Sequence, residues 1–267
     1  MIIDKITSRQ NPLVKRLRAI REGRERHLIF IEGVRLVEEA IRAKLYIEAV
    51  AYTERLLSID RGTQLYSQLL HLPCRGALVT ESVMALISDV ETPQGVVAIA
   101  HLPYANLTDA IRKQTPLVVI AHQLQDPGNL GTLIRSAEAV GADSLITTPG
   151  TVDPFNLKAL RAAMGSAFRL PTIINARLSA IAELSRNAGL ILVAADVKGE
   201  CRYSDFNWTV PVALLLGQEA HGLDETAATI VEKRLTIPMI DTVESLNVAA
   251  AATVLLYEAA RQRQFNF

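Results

Sequence analysis

With 267 residues, 49% of them hydrophobic, the chain reads as an ordinary globular protein with material for one large core or two smaller ones. Only 5% of residues are aromatic while Ala, Val, Ile and Leu abound, which suits α/β packing over an aromatic-rich β-barrel. The net charge is zero, yet residues 1–30 carry eight Lys/Arg against three acids, an excess that suits either phosphate contacts or a solvated helix face.

Cys74 and Cys201 stand far apart with no C-x-x-C or His spacing, so neither a disulfide framework nor a metal site is expected. The opening Met1-Ile-Ile-Asp-Lys lacks the charged-then-apolar pattern of a secretory leader. The longest apolar run, about residues 248–257, is too short for the ~30 Å of a bilayer core. A soluble, cytoplasmic protein is expected.

After the basic opening, the pattern predicts a strand at 28–31, an amphipathic helix at 33–42 and a strand at 47–52. A polar helix around 63–71, a strand at 76–79, a helix at 81–87 and a strand at 95–100 complete a small α/β unit. Residues 101–115, with Pro103 and Asn106 ahead of Pro116, form the expected boundary, dividing the chain into domains 1–105 and 106–267.

The second unit opens on Leu117-Val-Val-Ile-Ala121, a continuous apolar run typical of a strand buried on both faces of a parallel sheet. A helix follows the turn at Asp126, with Leu130, Leu133, Ile134, Ala137 and Val140 on one stripe and Arg135 well off it. Further strands are expected at 144–147, 172–174, 190–194 and 212–216, and helices at 155–164 and 178–188. Ser166 sits in a Gly-Ser-Ala loop suited to facing a substrate. Near the C-terminus a short apolar strand ending at Pro238 leads through a polar loop to Ser245, a plausible N-cap for a helix apolar on nearly every side and therefore buried.

No G-x-G-x-x-G, no G-x-x-x-x-G-K-[ST], no H-E-x-x-H and no G-x-S-x-G occurs. Three polar-and-glycine clusters remain, each expected at a strand end: 126–135, 217–222 and 237–247. In open parallel sheets that edge holds ligands.

Asp126-Pro-x-Asn129-x-Gly131-x-x-x-Arg135-x-Ala137, then Gly217-x-Glu219-x-x-Gly222, then Ile237-Pro-Met239 with Ser245-Leu246-Asn247 resemble, in order and spacing, the three motifs of the SpoU (TrmH) family of RNA ribose 2′-O-methyltransferases, within the SPOUT superfamily. The resemblance covers roughly residues 117–263, and the N-terminal unit resembles the ribosomal-protein-like substrate-binding domain found in many members. It implies a SPOUT α/β domain with a parallel sheet and a deep trefoil knot, formed here by about residues 237–260.

The resemblance further implies S-adenosylmethionine as cofactor, held at Gly217, Glu219, Ile237, Leu246 and Asn247, and catalytic roles for Asn129, Arg135, Glu219, Ser245 and Asn247. Arg135 is a poor base because a guanidinium stays protonated, so phosphate binding and alkoxide stabilisation are its expected roles. Asp241 and Ala249 depart from the commonest pattern, which has glycine and serine there, and remove no catalytic group. Lys15, Arg16, Arg18, Arg24 and Arg26 become the candidates for RNA contacts. The family implies a homodimer through the knot face, with Arg135 completing the neighbouring subunit's site. The expected substrate is 23S-type ribosomal RNA, with transfer RNA or a non-catalytic ribosome-binding role as alternatives.

Overall fold

The computed structural model describes residues 2–218 and 222–265, which form two compact units, Met1–Pro103 with Phe155–Leu157 and Tyr104–Pro154 with Lys158–Phe267.

The first unit runs β1 (Ile2–Ile6), α1 (Pro12–Arg21), β2 (Leu28–Glu32), α2 (Val34–Arg42), β3 (Ile47–Tyr52), α3 (Glu54–Leu57), α4 (Asp60–Leu70), β4 (Arg75–Val79), α5 (Glu81–Ile87) and β5 (Val96–His101). Its five-stranded sheet has the order β1-β4-β3-β5-β2, with β5 antiparallel to both its neighbours. The basic opening is a strand and a helix. Leu13, Val14, Leu17 and Ile20 recur at helical spacing and are buried, while Asn11 caps α1 by accepting from the Leu13 amide at 2.9 Å. Arg21 donates to the carbonyls of Leu86 (3.4 Å), Ile87 (3.2 Å) and Ser88, satisfying the C-terminal end of α5.

The second unit continues with β6 (Leu117–Ala121), α6 (Pro127–Ala139), β7 (Ser144–Thr147), α7 (Leu157–Ala163), β8 (Thr172–Ile173), α8 (Leu178–Ala188), β9 (Ile191–Ala195), β10 (Cys201–Arg202), β11 (Val212–Leu216), α9 (Glu225–Ile230), β12 (Lys233–Thr236) and α10 (Val248–Gln262). All seven strands are parallel, in the order β10-β12-β9-β11-β6-β7-β8. Every residue of β6 and β11 is buried, as two-sided coverage of a parallel sheet requires. From β6 the chain moves one way, through β7 to β8, and then returns to the other side for β9 through β12. The direction therefore reverses between β6 and β11, and the crevice at their carboxyl ends is where such sheets bind ligands.

Three expectations near the C-terminus need correction. β12 stops at Thr236, two residues short of Pro238, because a proline lacks the amide that a ladder uses. The N-cap of α10 is Asn247, whose Oδ1 accepts from the amides of Ala249 (3.0 Å) and Ala250 (3.2 Å), and Ser245 lies two residues outside the helix. α10 is buried on one face only: Ala249, Ala252, Leu255, Leu256 and Ala259 turn inward, whereas Ala250, Val254, Tyr257 and Arg261 are exposed. An Ala-rich helix shows no polar stripe by which the sequence would mark its outer face. Ser166 is also corrected. Gly165, in the left-handed region at φ 90°, turns the chain inward, and Ser166 is buried instead of facing a ligand.

Candidate active site

The carboxyl edge of the seven-stranded sheet carries a cavity of about 660 Å³. Its floor is the strand ends Ala195, Leu216 and Leu235; its walls are Ile237, Met239 and Leu246, with Val248 and Ala251 from the start of α10. Gly217, Ser245 and Asn247 also line it.

The turn after β11 explains its glycines. Gln218 and Gly222 exchange backbone hydrogen bonds of 2.9 and 3.0 Å, folding the chain back on itself. A Cβ on Gly217 would lie 2.2 Å from the Gly222 carbonyl oxygen, so no larger residue fits without moving the turn. Gly222 itself has φ 66°. Glu219, between them, lies outside the described residues.

The first and third motifs meet through their asparagines. Asn247 Nδ2 donates to Asn129 Oδ1 at 2.9 Å while Asn247 Oδ1 caps α10, so one side chain ties two helix starts together. The Asn129 amide donates to Asp126 Oδ1 at 2.8 Å, and Asp126 is the N-cap of α6. That amide, followed by Lys158 at 3.0 Å, holds the Asp126 carboxyl below its ordinary pKa. Further along, Ser136 and Thr253 share a 2.9 Å hydroxyl contact between α6 and α10. Gly131 serves packing: a Cβ there would sit 2.3 Å from the Ala159 carbonyl oxygen.

Arg135 is exposed on α6 and does not line the cavity. Of the residues expected to carry chemistry, Ser245 and Asn247 line the cavity, Asn129 is joined to it through Asn247, and Arg135 faces outward. Of those expected to hold the cofactor, Gly217, Ile237, Leu246 and Asn247 line it. Lys15, Arg16, Arg18, Arg24 and Arg26 belong to the first unit. There Arg16 is engaged by Glu25 at 3.2 Å and by Glu48, and Arg24 by Glu22 at 2.7 Å; Lys15 and Arg26 are exposed.

The polar groups that follow β6 and β9 at this edge escaped the motif reading. His122, at the end of β6, is buried, with Nδ1 2.9 Å from Thr148 Oγ1 and Nε2 3.1 Å from Asp224 Oδ2. Gln123 connects the same carboxylate, at 3.4 Å, to Gln218 of the glycine turn. Asp224 caps α9 by accepting from the Ala227 amide at 2.7 Å, and that bond, with His122, keeps its carboxyl below the ordinary range. Asp196, just beyond β9, lines the cavity and accepts from the Lys198 amide at 2.8 Å. Both follow apolar strands, so the strand-end rule applied to β6 and β9 would have reached them.

The SpoU rRNA Methylase family profile matches residues 116–257, and that of the MRM3-like substrate binding domain matches residues 11–98. The chain is 32% identical over 258 residues to the 23S rRNA (guanosine(2553)-2′-O)-methyltransferase RlmP of Bacillus subtilis, covering 94% of this chain and 97% of that one. It is 36% identical over 192 residues to the 23S rRNA (uridine(2479)-2′-O)-methyltransferase of Streptomyces viridochromogenes, over 70% of this chain and 67% of that one. Among solved structures, the AdoMet-bound rRNA methyltransferase from Sinorhizobium meliloti superposes with a TM-score of 0.86 at 32% identity, over 97% of this chain and 98% of that one. The SpoU methyltransferase AviRb from Streptomyces viridochromogenes, in complex with the cofactor AdoMet, gives a TM-score of 0.86 at 30% identity, over 96% and 99%.

Proposed function

The chain belongs to the SpoU rRNA methylase family, with a SPOUT-type parallel-sheet domain behind a substrate-binding domain, and from that premise we propose that it methylates a ribose 2′-hydroxyl of 23S-type ribosomal RNA using S-adenosylmethionine. The observation that carries the reading is the cavity at the β11 carboxyl end, where Gly217, Ile237, Leu246 and Asn247 converge. Its apolar walls and exposed backbone groups suit an adenosine moiety, and relatives with the same fold hold AdoMet.

Bound there, the cofactor supplies an electrophilic methyl group on a sulfonium. The protein's part is to position and to neutralise. Ile237, Met239 and Leu246 exclude water from the apolar portion of the ligand, and the Gly217 turn lets main chain approach it. Asn247, fixed by Asn129 and by two amides of α10, orients groups at the cavity mouth. Ser245 lies beside it as a hydroxyl donor or acceptor. Arg135 is assigned to gripping the phosphate next to the reacting ribose and stabilising the negative charge that develops on the attacking oxygen. Glu219 is assigned to orienting Arg135 or the turn.

Arg135 faces away from its own core, and Ala250, Val254 and Tyr257 on the exposed face of α10 join Ile240, Val243 and Leu246 as exposed apolar side chains. These features support a homodimer in which Arg135 completes the neighbouring site. The return of the chain from β12 past the Gly217 turn to α10, packed on α6, supports a knot involving about residues 237–260. Residues 1–105 select the RNA, with Lys15, Arg16, Arg18, Arg24 and Arg26 near its phosphates, and residues 106–267 perform the transfer. No helix among the described residues is long and apolar enough to cross a membrane, and the proposed setting is the cytoplasm, alongside the ribosomal substrate.

Methyl transfer from labelled S-adenosylmethionine to ribosomal RNA and to intact subunits, from a strain lacking this protein, tests the reading. Label in a 2′-O-methyl nucleoside of the large-subunit RNA is expected. Label in a base, or transfer to neither preparation, overturns it.

A further inference from the structure

The end of the five-stranded sheet where β5 finishes and β2 and β3 begin carries three exposed ring-bearing residues. His27 immediately precedes β2, Tyr46 immediately precedes β3 and His101 ends β5. Because β5 is antiparallel to both neighbours, these positions converge: the His101 amide donates to the Tyr46 carbonyl at 2.9 Å, and the Leu102 amide to the His27 carbonyl at 3.0 Å. The Tyr46 ring packs edge-on against His101 with centroids 4.9 Å apart and planes at 81°, and His27 does the same at 6.1 Å and 69°. Tyr46 is nonetheless 60% exposed, and both histidines are exposed. Rings held edge-on in this way have little rotamer freedom left to lose, while their faces remain open to solvent.

The electrostatic surroundings favour an anionic partner. Arg24 and Arg26 are exposed in the segment running into His27, Arg24 in a solvent-exposed pair with Glu22 that a phosphate can displace. Glu48, 3.7 Å from His101, is already engaged by Arg16. Exposed rings beside arginines match the way single-stranded nucleic acid is held, with bases on aromatic faces and phosphates on cations.

We propose that His27, Tyr46 and His101 form a stacking platform for an unpaired base of the RNA substrate, with Arg24 and Arg26 holding the adjoining phosphates. The proposal rests on the reading of this protein as an RNA methyltransferase and adds that its first unit requires an unpaired nucleotide, since a base inside a duplex offers no free face. Because every base has a π-face, the platform tolerates sequence, and the reacting nucleotide is chosen by other contacts.

The test uses the full chain and a short single-stranded oligoribonucleotide carrying 2-aminopurine, alone and annealed to its complement. Stacking on Tyr46 quenches the 2-aminopurine fluorescence of the single strand. Tyr46→Ala is expected to lose the quench and bind the single strand about tenfold more weakly, while Tyr46→Phe keeps both and duplex binding does not change. Methyl-donor affinity, measured in parallel, stays at the wild-type value and reports that Tyr46→Ala is folded. Single-strand binding and quenching by Tyr46→Ala equal to wild type overturns the platform, as does wild-type protein that methylates ribosomal RNA without quenching the probe. Wild-type protein that quenches the probe but transfers no methyl group to any RNA supports the platform and overturns the catalytic reading instead.

Discussion

The two edges of the seven-stranded sheet are built from the same strands and treat polar groups in opposite ways. At the amino edge two polar groups, Arg263 and Asp143, tie the strand starts together. Arg263, following α10, donates to the carbonyls of Thr115 (2.8 Å), Pro116 (3.3 Å), Trp208 (2.7 Å) and Val210 (2.8 Å), and burial pulls its pKa down. Asp143 accepts from the amides of Arg112 and Leu117, both at 3.0 Å. At the carboxyl edge Asp196, Ser245 and Asn247 line a cavity, and apolar side chains such as Ile240, Val243 and Leu246 stay exposed. Stability is concentrated at one end of the strands, and capacity for chemistry at the other.

Substitutions at the two ends can break or sharpen that contrast. Removing the cation in Arg135→Ala is expected to lower kcat by about 10²–10³-fold, roughly 3–4 kcal/mol of transition-state stabilisation, with unfolding unchanged; single-turnover methyl transfer and denaturant melts check both halves. Arg263→Ala should do the reverse. It leaves buried carbonyls without donors and is expected to destabilise the fold by about 3 kcal/mol, while KM and kcat of the folded fraction stay at wild-type values. A change in KM there would mean that the edges are coupled.

Asn247 belongs to both categories, and two variants separate them. Asn247→Ala removes the helix cap at a cost of about 1 kcal/mol and also the bridge to Asn129. Asn247→Asp keeps an accepting oxygen for the α10 amides, so its melting midpoint recovers, but it cannot donate to Asn129, so methyl transfer stays impaired. The smallest effect is on pH dependence. The folded-state pKa of Asp224 is depressed below 3.8, so its contribution is complete above that value and is lost as pH falls through the depressed one. Asp224→Asn should flatten the acid limb of the stability curve and leave the neutral region nearly unchanged.

The alternation of apolar runs with amphipathic stretches made most of the architecture legible. β3, β6, β7, β11, α5 and α8 lie where the pattern places them, because each is either wholly buried or clearly one-sided. β1 and α1 were obscured by their charges, although Leu13, Val14, Leu17 and Ile20 already carried a helical period. The two-residue β10 and the short α9 offer too few positions for any period to register. At the site, the motifs pointed to Gly217, Ile237, Leu246 and Asn247, which converge on one cavity. Tertiary geometry supplied the rest: the Gly222 carbonyl that forbids a side chain at Gly217, and the choice of Asn247 over Ser245 as cap, which depends on where the helix begins. His122 drew no attention because a lone histidine after an apolar strand has no motif, and its partners Thr148 and Asp224 lie 26 and 102 residues away.

The central claim is that the turn after β11 is the cofactor site. Calorimetric titration of S-adenosylmethionine into the wild-type chain and into Gly217→Ala, with melting curves recorded on both, tests it most directly. One binding site per chain is expected for the wild type and none for Gly217→Ala, with the fold retained. Equal affinity in the two proteins would contradict the assignment and move the cofactor away from the carboxyl end of β11.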